Sequence, residues 1–175
     1  MWGFASRRVR LRGYSVKLHI RPMSGQDAWD SATWEYEPQY EIYNPRPGET
    51  AHLLDGANRY FCVHDEAGRL VGTCCFGAEA RVAGGDYSRD EPEVLDVGVA
   101  MHPGLVGRGH GVDFVTAILE FAGRKYDRLR FRATIADFNL RCRRTFEKLG
   151  FEETGRFERA GDGQLFIQVE RDAAE

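Results

Sequence analysis

Residues 105–111 read Leu-Val-Gly-Arg-Gly-His-Gly, three glycines alternating with Arg108 and His110. Glycines at this density let the backbone approach something that a β-carbon would exclude. Taken alone, the stretch admits two readings: a phosphate seated on main-chain amides, or a tight connection holding no ligand. Its place decides more than its composition. An apolar run over 94–101 precedes it, and a helical pattern over 112–122 follows. The glycines therefore sit at a helix N-terminus, where unpaired N–H groups and the helix dipole favour an anion. Arg108 adds a positive charge. Two common phosphate motifs do not fit, since no Lys-Ser or Lys-Thr follows and the spacing is G-x-G-x-G.

Other residues are typed for proton chemistry and for recognising an amine. Asp96 is the one acidic residue in the run Val94–Met101, and is either a general base or a hydrogen-bonded structural carboxylate. His64 and His102 are weaker candidates for the base. Trp34, Tyr36, Tyr40 and Tyr43 are interleaved with Glu35, Glu37 and Glu41. Aromatic faces beside carboxylates suit a cationic amine. The same aromatics would equally pack a core, leaving the glutamates solvated.

These residues need elements to hold them. Val16, Leu18 and Ile20 alternate with polar residues, which predicts a strand over 16–23. Ser24 then caps a helix over 24–34. Three prolines break 35–58, which holds at most short helical pieces. Runs 59–65 and 69–77 read as a hairpin closed at Glu66-Ala67-Gly68. A polar segment, 81–93, leads to the strand 94–101. The helix 112–122 puts Val112, Val115, Ile118, Leu119 and Ala122 on one face, with Gly123 as its stop. Strand 128–135 follows, so 94–135 forms a βαβ unit with a parallel pair. Asn139 caps a last helix ending at Gly150, and two strands close the chain.

Composition sets the class. The chain has 175 residues, enough for one domain with a substantial core. We expect residues 1–13, with Arg7, Arg8, Arg10 and Arg12, to be a solvated basic leader, and 14–175 to be a single domain. The net charge of −3 gives no general pull toward nucleic acid or anionic membrane. No apolar run approaches the roughly 20 residues of a membrane helix. Cys62, Cys74, Cys75 and Cys142 form no C-x-x-C pair and lack histidines at metal spacing, so we expect reduced thiols, a cytoplasmic location and no metal. The C-terminal strand pair is a candidate homodimer edge.

The block from Val94 to Phe151 resembles the two core motifs of the GNAT superfamily of acyl-CoA-dependent N-acyltransferases. There a strand enters a Gln/Arg-x-x-Gly-x-Gly/Ala loop before a helix, and a later helix begins near an asparagine and ends in Tyr-x-x-x-Gly-Phe. The resemblance implies a mixed α/β (α+β) fold with a mostly antiparallel central sheet, a parallel βαβ core and flanking helices. It implies acetyl-CoA as cosubstrate, with the Val106–Gly111 loop (Val106, Gly107, Arg108, Gly109, His110, Gly111) on the pyrophosphate. Val99 and Met101 would pair with the pantetheine arm as an added strand does, and Asn139 would contact the same arm. A main-chain N–H of strand 94–101 would meet the oxyanion.

Two positions depart from the pattern. Val106 stands where the family has Gln or Arg. Phe146 stands in place of the tyrosine that protonates the leaving thiolate, near the thioester. The segment with Trp34, Tyr36, Glu37 and Tyr40 would receive the acceptor. The function implied is acetyl transfer to a primary amine of a small molecule or a protein by direct attack in a ternary complex. The alternative is a weakly active or inactive acyl-CoA-binding sensor.

Overall fold

The computed structural model describes residues 5–11, 14–46, 48–87, 94–126 and 130–172, with side chains from Lys17 onward. Eight strands form one sheet: β1 (Ala5–Leu11), β2 (Tyr14–Pro22), β3 (Tyr60–His64), β4 (Leu70–Phe76), β5 (Val94–Met101), β6 (Arg130–Ala136), β7 (Glu152–Glu158) and β8 (Leu165–Asp172). Their order is β1-β2-β3-β4-β5-β6-β8-β7. All neighbours are antiparallel except β5 and β6, which run parallel. Four α-helices flank the sheet: α1 (Gly25–Ala32), α2 (Thr50–Leu54), α3 (Gly111–Tyr126) and α4 (Leu140–Lys148). The mixed sheet with its parallel βαβ core is the architecture expected from the sequence.

Two expectations change. The segment read as a solvated leader forms β1 over Ala5–Leu11, paired in register with β2 from Ala5↔Ile20 to Leu11↔Tyr14. Arg8 and Arg10 alternate with Val9 and Leu11 at the period of a strand, a pattern that the density of charge obscured. Gly123 does not stop α3, which continues to Tyr126. The added turn is held by packing, with the Tyr126 ring 5.3 Å from that of Phe76. The broken stretch 35–58 is a short 3₁₀ turn at Pro38–Tyr43, then α2, then another at Gly56–Asn58. The acidic part of the polar segment lies outside the described residues from 88 to 93.

The core sits between the sheet and α3. Alternate strand residues point to it: Leu18 and Ile20, Phe61 and Val63, Cys74 and Phe76, Leu95 and Val97, Phe131 and Ile135, all buried with Phe114, Val115, Ile118 and Leu119 of α3. The opposite face carries α1, whose capping box pairs Ser24 with Asp27. Helix α3 crosses the sheet very closely at Gly72, where an added β-carbon would lie 2.3 Å from Phe114 Cζ and 2.8 Å from the Ala100 carbonyl oxygen. Phe114 is buried and cannot retreat. We expect Gly72→Ala to cost about 1–3 kcal/mol through overpacking, read as a lower midpoint in urea unfolding. An unchanged midpoint would show that α3 is free to shift.

Candidate functional site

The site arises where two strands separate. β5 pairs with β6 only over Val94, Leu95 and Asp96, while its remaining residues, Val97–Met101, pair with β4. Beyond Asp96 the two parallel strands diverge and leave a wedge. The His102 amide donates to the Val71 carbonyl at 2.9 Å, which fixes the alternation along β5. Ala100 and His102 therefore face β4, and the N–H and C=O groups of Val99 and Met101 face the wedge. The Met101 carbonyl accepts from the Tyr36 hydroxyl at 2.9 Å.

The wedge opens into a cleft of about 400 Å³, within the range of small-molecule sites. Val97, Val99 and Met101 form one wall and Ala133, Thr134 and Ile135 the other, with Phe146 and Cys142 of α4 behind them. The lining is mostly apolar until the rim, where Arg141, Arg144 and Lys148 gather. These three sit at i, i+3 and i+7 on α4, one face of a helix. Their basic types at helical spacing are the signal in the sequence that could have located this rim.

The glycine loop forms the adjoining edge. Pro103–Leu105 is one 3₁₀ turn, and Gly107 and Gly109 adopt φ of 75° and 82°, a left-handed backbone that other residues resist. At Gly111 an added β-carbon would lie 2.8 Å from Thr145 Oγ1, so α3 and α4 meet closely there. The stretch thus meets a neighbouring helix at Gly111 and exposes its backbone at Gly107, Arg108 and Gly109. The first amides of α3 lack intrahelical acceptors and point the same way. Val106, Gly107, Gly109 and Gly111 line the cleft, whereas Arg108 is exposed beside it and His110 is buried. A polyphosphate fits these amides and the cations of α4, and an extended arm fits the free edge of β5.

Asn139 is the N-cap of α4, its Oδ1 accepting from the Cys142 amide at 3.1 Å. Its Nδ2 donates to the Tyr43 hydroxyl at 3.2 Å, so the cap also ties the 3₁₀ turn at Pro38–Tyr43 to the cleft. Tyr36, Tyr40 and Tyr43 all line the cleft. Trp34 does not: it is 8% exposed and its ring meets His102 edge-on at 5.3 Å, which corrects its reading as an acceptor contact. Glu37 also lies outside the lining, on the exposed rim, bonded to Gln39 and 3.3 Å from Arg141. Phe146 is 1% exposed, packed edge-on against Phe151 at 4.9 Å, and borders the cleft with no hydroxyl to offer.

The expectation for Asp96 as the base is overturned by its surroundings. Its side chain points to the face away from α3, outside the cleft lining. It is 2% exposed, and Arg132 grips it through both oxygens, Nε to Oδ1 at 2.6 Å and Nη2 to Oδ2 at 2.9 Å. Arg81 Nε adds a third contact at 2.7 Å. A carboxylate held by two guanidiniums has no lone pair aimed at a substrate. Among the described residues, no Asp, Glu or His lines the cleft.

His64 belongs to a separate group. It lies 2.8 Å from Asp27 Oδ1, and Cys62 completes a buried trio whose donor atoms all fall within 4.8 Å. The three residue types suit a metal, but Asp27 Oδ2 is taken by Ser24 at 2.5 Å, and the Arg21 guanidinium lies 3.3 Å from the His64 Nε2. That cation stands beside the same nitrogen that contacts Asp27, and the His64–Asp27 contact fastens α1 to β3. Burial pushes the Cys62 thiol up to about 12, further from the thiolate a metal binds.

The family model described as acetyltransferase (GNAT) family matches residues 26–151. No curated protein matches the sequence. Among solved structures, a GNAT-family acetyltransferase from Bacillus anthracis is similar at 16% identity, with 97% of this chain and 99% of that chain covered and a TM-score of 0.71. A spermidine N-acetyltransferase SpeG chimera from Vibrio cholerae and hSSAT gives 18% identity, 89% and 95% coverage and a TM-score of 0.69. The aminoglycoside acetyltransferase AAC(6')-Ib in complex with coenzyme A gives 19% identity, 89% and 94% coverage and a TM-score of 0.67. At these identities the likeness is one of fold.

The clamp on Asp96 makes a prediction of its own. Asp96→Asn keeps the shape but removes the buried carboxylate that both guanidiniums grip, and breaking such a pair costs about 3–5 kcal/mol. The expected result is a large drop in the urea midpoint. Full stability with abolished turnover would return Asp96 to the role of base.

Proposed function

Because the chain belongs to the acetyltransferase (GNAT) family, we propose that it transfers an acetyl group from acetyl-CoA to a primary amine of a small molecule or a protein, by direct attack within a ternary complex. The observation that carries this reading is the wedge: a strand edge at Val99 and Met101 that no neighbouring strand covers, leading to a rim of loop amides and the cations Arg141, Arg144 and Lys148. The edge suits an extended amide-bearing arm, and the rim suits its phosphates. In this reading the acceptor enters past Tyr36, Tyr40 and Tyr43. Their faces attract an ammonium group or cover its alkyl chain.

The lack of an acidic or imidazole group in the described lining shapes the mechanism. An alkyl ammonium of pKa near 10.4 must lose its proton before it attacks. With no base among the described lining residues, the free amine is drawn from solvent, and the protein's work is to place it and to exclude water. One observation favours a second reading, an acyl-CoA-binding protein with little turnover: Phe146 leaves the position of the expected acid without a hydroxyl.

Calorimetry with acetyl-CoA, followed by a thiol-release screen against spermidine, an aminoglycoside, free amino acids and N-terminal peptides, separates the two. Saturable binding with release by at least one amine supports transfer, and binding without release supports the second reading. No binding at millimolar acetyl-CoA would overturn both. Arg144→Ala and Lys148→Ala should each weaken binding by up to about tenfold and flatten its salt dependence. For an alkylamine, kcat/KM should rise about tenfold per pH unit between 7 and 9, following the amine's own ionisation. A plateau already at pH 7 would reveal a base among groups outside the described lining.

A further inference from the structure

Thioester cleavage leaves a sulfur anion in an apolar cleft, and an anion there needs a donor. The hydroxyls lining the cleft belong to Tyr36, Tyr40, Tyr43, Thr134 and Thr145. Tyr36 spends its proton on the Met101 carbonyl and Thr145 spends its own on the Arg141 carbonyl at 3.0 Å. Thr134 is engaged with the Tyr87 hydroxyl at 3.1 Å, and the Tyr40 ring lies under the Arg141 guanidinium at 5.2 Å. Among the described residues Tyr40 and Tyr43 both keep their protons unspent, and of the two Tyr43 is the one anchored at the α4 cap. Its oxygen accepts from Asn139 Nδ2, which leaves its proton uncommitted among the described residues.

Its position is equally specific. Asn139, Cys142 and Phe146 share one face of α4 toward the cleft. Helical side chains lean toward the N-terminus, so the Phe146 ring tilts over Cys142 toward the turn that Asn139 caps. That turn is where the Tyr43 hydroxyl is held. Tyr43 and Phe146 thus both line the cleft, with the Tyr43 hydroxyl held at the cap toward which the Phe146 ring leans.

We propose that Tyr43 supplies the hydrogen bond to the departing sulfur that Phe146 has no hydroxyl to give. The inference rests on the acetyl-transfer reading. As the amine nitrogen bonds to the carbonyl carbon and the C–S bond breaks, the electron pair stays on sulfur and the Tyr43 O–H donates to it. The thiolate takes its proton from water, and the proton shed by the amine nitrogen neutralises the hydroxide left behind. Burial pushes the Tyr43 phenol up to about 12, above a thiol near 8.5, so the phenol keeps its proton and acts as a donor.

The product complex offers a test that needs no acceptor. Coenzyme A is bound to the protein and its thiolate absorbance titrated, with desulfo-coenzyme A as reference. The protein's own thiols stay silent below pH 10, since burial pushes Cys62, Cys75 and Cys142 up to about 12 and Cys74 well above its usual value. In the native protein the bound thiol should ionise below its free value. Tyr43→Phe should move the midpoint up by about one pH unit, which is tenfold in the equilibrium. Adding Phe146→Tyr to that variant should restore it. With any amine that releases thiol, Tyr43→Phe should lower kcat ten- to hundredfold while acetyl-CoA affinity holds. Bound coenzyme A with the same thiol midpoint in both proteins would overturn the role of Tyr43 and leave the wedge standing. Failure of coenzyme A to bind would overturn both.

Discussion

The guanidinium of Arg132, buried between Asp96 and the ring of Tyr87, holds β5 against β6 at the last position where the two strands pair. Arg81 lies over the same ring at 5.0 Å and grips the same carboxylate. This charged cluster sits at the vertex of the wedge. Below it the strands share a ladder, and above it they part and expose amides that no strand covers. A buried ion pair contributes little net stability over apolar packing, but losing one partner is costly, so the position of the vertex is sharply specified.

What the vertex opens, the helices bound. α3 is pressed onto the sheet at Gly72, and its first residue touches α4 at Gly111. A β-carbon at either glycine would press on a facing side chain, so these two close approaches help to set the cleft's depth. Asn139 joins the third boundary, since one amide both caps α4 and positions Tyr43. The apolar wall and cationic rim therefore come from three elements fixed against one another, the arrangement that precise positioning of a substrate requires.

Much of this was legible in the sequence. The strand-glycine-helix block from Val94 and the capped helix from Asn139 identified the fold and located the cleft, because backbone geometry at glycines and caps is encoded locally. What could not be read was set by long-range partners. Asp96 looked like a base because an acid in an apolar strand is unusual. Its partners, Arg81 and Arg132, lie 15 and 36 residues away in sequence, and no local pattern announces them. Trp34 likewise has the character of an amine contact until His102 is found against it. Tyr43 escaped notice as a donor because its value depends on which hydroxyls around it are already spent.

The far margin of the sheet answers a different question, that of what the molecule avoids. β7 is an edge strand, its pairing with β8 shifts register between Glu153 and Gly155, and Glu152, Glu153, Arg156 and Glu158 stand exposed along it. A strand from a second molecule would have to strip water from those charges and bridge a kinked ladder. The sheet thus ends at a boundary that repels its own extension, which guards against stacking into fibrils.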